Sequence, residues 1–403
     1  MEIMQPRLRR LSGIFLLVCA SAASATPLKI GSVDSLGGGF QSTQAYQRGA
    51  ELAVAEINAS GGLLGRQVQL VVREDQGGAA EAVRNAEALV RDDKVDVLSG
   101  TMLSNVALAV AKTAAARKKL FVVGDALSDA ITLDKGNRYT FRLRPSTYMQ
   151  AAMLAEAAAK LPVRRWAIIA PNYEYGQSAV ANFKLLLKER RPDVEFVAEQ
   201  WPALGKIKAD DAVRSLQQAR PEAIFNATFG GDLLQFVEAG SRQGLFASSK
   251  VLSMSAGETL GNLQTQYPAI SNWFVIGYPI DQIALAEHQR FRDAYVKRFN
   301  EQPHLYSIFG YSTLMAIAGG VRKAGSLDSD KLVAAMRGLS FDTPVGIISF
   351  RAQDQQSSFG AFVGTLSYMP GQDPASDWRY LDGLRYLPTE SYVKSRRPSS
   401  ASR

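Results

Sequence analysis

The sequence predicts an α/β protein made of two doubly wound parallel-sheet lobes. Three observations carry that expectation. Strand, loop and helix patterns alternate along most of the chain, which implies parallel sheets covered on both faces. The alternation starts afresh near residue 165. The 403 residues, less a leader of 25, leave 378, too many for one ordinary core.

The elements follow in order. Pro27 to Val33 is a short apolar strand, and Asp34-Ser35-Leu36-Gly37-Gly38-Gly39 is the loop after it. A long amphipathic helix runs from about Gln44 to Ser60, with Ala50, Leu52, Ala53, Ala55 and Ile57 on its apolar side. Gly61-Gly62 ends it, as glycine does past a helix C-terminus. Strands at 67–73, 95–99 and 120–123 alternate with helices at 79–91 and 104–117. The second half opens with a strand at 165–170, a loop at 171–175 and a helix at 176–189. Strands at 194–199, 223–227 and 251–254 come next, with helices at 212–219 and 233–243 between them. The final third breaks the period. A strand at 273–277 leads into long helices at 284–299 and 305–324 and a shorter one at 329–337, which Ser326 or Ser329 is placed to cap. Apolar strands at 346–350, 361–366 and 378–380 close the pattern.

The first residues predict export. Arg7, Arg9 and Arg10 precede an apolar run from Leu11 to Ala20, and Ala23-Ser24-Ala25 has the form of a signal-peptide cleavage site. The run is shorter than the roughly 20 residues a bilayer span requires. The only cysteine, Cys19, lies in this leader, so the exported chain is expected to hold no disulfide and no thiolate metal site. Formal charge is +8, and the leader's three arginines and one glutamate leave +6 after removal. Some of that charge sits in Lys394, Arg396, Arg397 and Arg403 amid Pro and Ser, and residues 391–403 read as a disordered tail. No basic stripe with interleaved aromatics appears, so no nucleic-acid partner is expected.

Catalytic and cofactor motifs are absent. Gly37, Gly39 and Ser42 fail the G-x-G-x-x-G spacing, and there is no G-K-[ST] phosphate loop, so no cofactor is expected. The glycine loop is either a bare turn or one whose backbone approaches a ligand. His288 and His304, the only histidines, stand near no nucleophile signature, and no metal-ligand spacing is present. Asp210-Asp211 suits a solvated helix start. The chain is therefore not expected to be an enzyme.

What remains are polar groups at the carboxyl ends of strands, where parallel α/β sheets collect ligands. Gly100-Thr101-Met102-Leu103-Ser104-Asn105 offers hydroxyls and unpaired helix-start N–H groups, a setting for a carboxylate. Ser104 is equally a simple helix cap. Gly124-Asp125-Ala126-Leu127-Ser128 is the next such end, and Asn172-Tyr173-Glu174-Tyr175-Gly176 is its counterpart in the second half. Phe229-Gly230-Gly231-Asp232 and Ser255-Ala256-Gly257-Glu258 complete the set, and for each an ordinary solvated turn is an equal reading.

Taken together, these residues resemble the branched-chain amino acid (Leu/Ile/Val) type of periplasmic binding protein of ABC transporters. The marks are Lys29-Ile30-Gly31 with the glycine loop, Gly49 to Asn58 with Gly61-Gly62 and Gly65, and Asp75. Tyr139 to Pro145, Tyr175-Gly176-Gln177 and Gly310-Tyr311 complete them, covering essentially the whole exported chain.

The resemblance implies a type I, Venus-flytrap receptor with a three-segment hinge near Arg144-Pro145, Gly277-Tyr278-Pro279 and Gly360. Lobe 1 would hold residues 26–144 and 278–359, and lobe 2 residues 145–277 and 360–390. It further implies that Ser104 with Asp125, Ala126 and Ser128 holds a ligand carboxylate, while Tyr175 and Phe229 line the facing lobe. Ser42 and Tyr306 fall at further contact positions. Where amino-acid binders of the family place an acid for the ligand ammonium, Ser255 stands here, with Glu258, Glu174 or Asp125 as substitutes. A buried ammonium without an anionic partner is costly. The expected ligand is a small carboxylate-bearing solute such as an aliphatic amino acid, or else an amide, a urea or an aromatic carboxylate. The expected partner is a membrane permease, with a ligand-sensing role as the rival reading and a monomer as the default state.

Overall fold

The computed structural model describes residues 26–35, 41–259, 267–366 and 377–399. The predicted leader, the glycine loop after Leu36 and the last four residues lie outside them. The first elements are β1 (Leu28–Asp34), α1 (Gln41–Ala59), β2 (Val68–Glu74), α2 (Ala79–Arg91), β3 (Val97–Gly100), α3 (Ser104–Ala116), β4 (Phe121–Val123) and β5 (Thr140–Arg142). Their strands form one sheet in the order β2-β1-β3-β4-β5, with every neighbouring pair parallel.

Next come α4 (Thr147–Ala158), β6 (Arg165–Ile169), α5 (Glu174–Arg190), β7 (Glu195–Gln200), α6 (Ala209–Gln218) and β8 (Ala223–Asn226). They are followed by α7 (Gly230–Gln243), α8 (Leu245–Ser248), β9 (Lys250–Ser255), α9 (Ala256–Thr259) and β10 (Phe274–Gly277). The remainder is α10 (Ala286–Phe299), α11 (Leu305–Ala324), α12 (Ser329–Met336), β11 (Ser340–Thr343), β12 (Gly346–Ser349), β13 (Ala361–Thr365), β14 (Arg379–Leu381) and α13 (Glu390–Arg396). The second sheet has the order β14-β13-β10-β9-β8-β6-β7. Its core is parallel, and β13 runs antiparallel to both its neighbours, β10 and β14.

The strands are apolar on both faces because helices cover both. In the first sheet Leu28, Ile30, Val97 and Val122 pack toward α1 and α11, while Leu98, Phe121 and Val123 pack toward α2 and α3. The second sheet repeats this. Trp166, Ile168 and Phe225 face α4 and α5, and Ala167, Ile169 and Ile224 face α6 and α7. That two-residue alternation between covered faces produces the near-continuous apolar runs seen in the sequence.

The chain passes between the sheets three times: between β5 and α4, between β10 and α10, and between β12 and β13. α11 returns to the first sheet by packing on α1 at backbone contact. A Cβ at Gly49 would stand 1.9 Å from the Ser307 carbonyl oxygen, and one at Gly310 would stand 1.9 Å from that of Tyr46. Among the described residues no helix is long and apolar enough to cross a membrane.

Four local expectations are corrected. The disordered tail does not begin at 391, because Glu390–Arg396 is α13, capped by Thr389. Arg396 pairs with Asp134, and Arg397 is buried, donating to the carbonyls of Thr132, Asn137 and Asp354. The cap of α12 is Asp328, which accepts from the Lys331 N–H at 3.0 Å, whereas Ser326 accepts from the Asp328 N–H. α5 begins at Glu174 and α7 at Gly230, so parts of two expected loops are first helical turns. α4 has no counterpart in the predicted elements. It is buried nearly all round and so shows no amphipathic period.

Candidate functional site

The carboxyl ends of both sheets converge on one cavity. From the first sheet's side come Met102, Leu103 and Ser104 after β3, Asp125 and Leu127 after β4, Arg144 after β5 and Tyr306 on α11. From the second come Tyr173 and Tyr175 after β6, Phe229 after β8 and Ser255 at the end of β9. Tyr175 lies 5.9 Å from Tyr173 and 5.7 Å from Phe229, ring centroid to centroid, so the second sheet presents an aromatic wall.

The polar groups are arranged on the opposite side. Ser104 is the first residue of α3, where the helix leaves N–H groups without intrahelical acceptors. Its Oγ accepts from the Ser128 N–H at 3.1 Å. The Ser128 hydroxyl donates to Glu174 at 2.6 Å and so links the two sheets' loops. Arg142, fully buried, donates to the carbonyls of Leu127 and Ser128 and fixes the loop that carries Asp125.

At the centre lies an ionic cluster. Arg144 donates to both Asp125 and Glu258, and all three side chains are less than a tenth exposed. The Tyr306 hydroxyl donates to Glu258 at 2.7 Å. The guanidinium also sits 5.1 Å from the Tyr306 ring centroid and 4.6 Å from that of Phe309, within cation–π range. Burial works against its charge, but Glu258 and Asp125 outweigh burial and hold it firmly protonated. Burial pushes the Asp125 carboxyl up to about 6, against the pull of Arg144. One cation thus serves two acids, a desolvated set with a residual negative charge.

The structure therefore brings Ser104, Asp125, Tyr175, Phe229, Ser255 and Tyr306 to one cavity. Glu258 reaches the cluster through Arg144 and Tyr306, but both its oxygens are already engaged. Ser128 acts behind Ser104, and Ala126 is buried, its N–H bonded to the Thr101 carbonyl. Ser42 touches the site only through its hydroxyl, 3.8 Å from the Met102 sulfur. Sequence reasoning missed Arg144, which was read as part of a crossover. An arginine two residues after a buried one, at the end of a strand, was the available signal. Among the described residues no group of His, Cys, Asp or Glu is arranged to hold a metal ion.

A family model described as periplasmic binding protein matches residues 27–369. The Leu/Ile/Val-binding protein homolog 4 of Brucella abortus is 26% identical over 373 residues, covering 87% of this chain and 86% of its own. A solute-binding protein of an ABC transporter from Rhodopseudomonas palustris BisB5, in complex with 3,4-dihydroxybenzoic acid, superimposes with TM-score 0.77 at 22% identity over 89% of this chain and 98% of that one. The closed form of a leucine-, isoleucine-, valine-, threonine- and alanine-binding protein from Brucella ovis gives 0.76 at 20% identity over 90% and 97%. These structural likenesses establish the fold.

Proposed function

Because the chain belongs to the periplasmic binding protein family, we propose that it is the exported solute receptor of an ABC uptake transporter, a non-catalytic monomer that delivers a small carboxylate-bearing solute to a membrane permease. The observation that carries this reading is the shared cavity: both sheets supply its walls, and neither alone encloses it.

In this reading the solute carboxylate meets Ser104 and the first N–H groups of α3. The aromatic wall then covers the solute when the sheets approach. Ser128 with Glu174, and Tyr306 with Glu258, are hydrogen bonds between the two sides that form only in the approached state. Closure is driven by the difference in affinity between the open and closed forms, and about 5.5 kcal/mol of such difference converts a mostly open population into a mostly closed one. The three chain crossings are the hinge.

The first solute reading is an aliphatic amino acid, in keeping with what the Brucella relatives are named for. The second is an aromatic carboxylate, favoured by the rings of Tyr173, Tyr175, Phe229 and Tyr306 around the cavity.

A thermal-shift screen over amino acids, amides and aromatic acids tests the proposal, since a solute selective for the native state raises the melting temperature. Small-angle scattering on a hit should then show a smaller radius of gyration. If no carboxylate shifts the melting temperature, or the radius is unchanged by a tight binder, the receptor reading is refuted.

A further inference from the structure

A second, smaller recess opens beside the main cavity and shares Met102 and Asp125 with it. Its described walls come from the first sheet's side: Asp34 at the end of β1, Ser35 after it, Tyr46 on α1 and Thr101 after β3. Its polar groups are not balanced among themselves. Asp34 is 3% exposed, and its carboxylate accepts from the neutral groups of Ser32 at 2.8 Å and Gln47 at 3.2 Å. Among the described residues it pairs with no lysine or arginine. Asp125, on the facing wall, shares the Arg144 guanidinium with Glu258.

The Tyr46 hydroxyl is the independent sign. Tyr46 is 4% exposed and lines the recess, yet among the described residues its buried hydroxyl makes no hydrogen bond of ordinary geometry. The neighbouring Thr313 hydroxyl donates to the Phe309 carbonyl instead. A buried polar atom left unpaired calls for an explanation such as a ligand. The recess also exists by construction. A Cβ at Gly100 would lie 2.6 Å from Asp34 Oδ1, and one at Gly124 would lie 2.0 Å from the Tyr46 hydroxyl. Burial, with Asp75 and Asp125 nearby, pushes the Asp34 carboxyl up to about 6 despite Ser32 and Gln47, the mark of an anionic pocket short of a counter-charge.

We infer that this recess is a cation subsite: Asp34, Asp125 and the Tyr46 hydroxyl receive a protonated primary amine that the solute carries at a distance from its carboxylate. The inference rests on the receptor reading and narrows its solute class to ω-amino or diamino carboxylates. The carboxylate docks near Ser104, the chain passes Met102, and the ammonium ends between two carboxylates and a phenol oxygen. Three N–H donors on one small charged head match that set of acceptors.

Calorimetry on the full chain at pH 7.5, with matched pairs of probes, tests this. 5-Aminopentanoate should bind at least tenfold more tightly than pentanoate, and L-lysine more tightly than L-norleucine. Asp34→Asn, isosteric and relieved of a buried charge, should keep or raise the melting temperature yet erase the preference for the remote amine. Tyr46→Phe should reduce that preference several-fold. If the wild-type chain binds both members of each pair equally, or binds leucine or 4-hydroxybenzoate while rejecting the remote amines, the subsite is refuted and the receptor reading stands. If no carboxylate in the set binds, both fall.

Discussion

Replacing Arg144 with methionine isolates the ionic cluster. The substitution keeps an unbranched apolar stem against Tyr306 and Phe309 but removes the one cation between two acids. Asp125 and Glu258 have side chains 7% and 1% exposed, so neither carboxylate can turn to water for compensation. Breaking a buried pair in this way costs roughly 3–5 kcal/mol. The loss must depend on pH, and its sign is fixed. Arg144 lowers the Asp125 pKa, which burial already lifts to about 6, so without Arg144 it lies higher still. A carboxyl whose folded pKa exceeds its unfolded one destabilises the fold as pH rises through that interval. The deficit of Arg144→Met is therefore largest near pH 8 and shrinks toward pH 5 as Asp125 protonates. Urea unfolding monitored by tryptophan fluorescence at both pH values measures it. A deficit under about 1 kcal/mol at pH 8, or one equal at the two pH values, refutes the account of the cluster. Adding Asp125→Asn should return part of the loss, since contacting charges are not additive.

Three further outcomes are expected. Ser104→Ala should weaken carboxylate binding by roughly 1–3 kcal/mol in calorimetry, and unaltered affinity would reduce Ser104 to the start of a helix. Gly310→Ala should destabilise the chain by more than about 1 kcal/mol, because its Cβ would stand 1.9 Å from the Tyr46 carbonyl and the two helices would have to separate; an unchanged midpoint in thermal unfolding would show that α11 can shift freely. His288, buried and bonded to the Tyr278 hydroxyl at 2.6 Å, has its pKa pushed down to about 4 by burial and then by Arg292. It remains neutral in the fold while it would protonate in the unfolded chain near 6.5, so stability attributable to it falls as pH drops from about 6.5 to about 4, by roughly 2–3 kcal/mol. His288→Gln should lack that acid-side fall when the two proteins are compared by urea titration, and parallel curves would contradict it.

The alternation of elements was legible because both sheets are covered on both faces. Runs such as Phe121–Val123 and Ala223–Asn226 read as strands, bounded by loops that carry hydroxyls and glycines. α4 was not legible, since a helix buried on every side has no period to detect. β5 was not legible because buried Thr140 and Arg142 flank Phe141 and leave no apolar run. α13 was hidden because its partners, Asp134 and Thr132, lie more than 250 residues away, and the local composition alone suggests a tail. The site followed the same rule. Ser104, Asp125, Tyr175 and Phe229 were visible as residues at strand ends. Arg144 was not, because its meaning comes from Glu258, 114 residues on, and from Tyr306 beyond it. Asp34 stood in plain view at the end of the first strand, but the burial that gives it a role comes from α1, through Gln47 and Tyr46.

The terminal helix has a practical consequence. Arg397 donates to the carbonyls of Thr132 and Asp354 and to the Gln355 side chain, and Gln355 in turn donates to the Arg138 carbonyl. Ser357 closes onto the Leu143 carbonyl. Residues 354–357 are thereby stitched to the β4–β5 region, so in the third crossing a swing of one sheet against the other would have to begin beyond Ser357. A pair of dyes meant to report that swing should keep clear of this stitched stretch. A fusion partner placed directly after Arg397 would tug on the stitch itself.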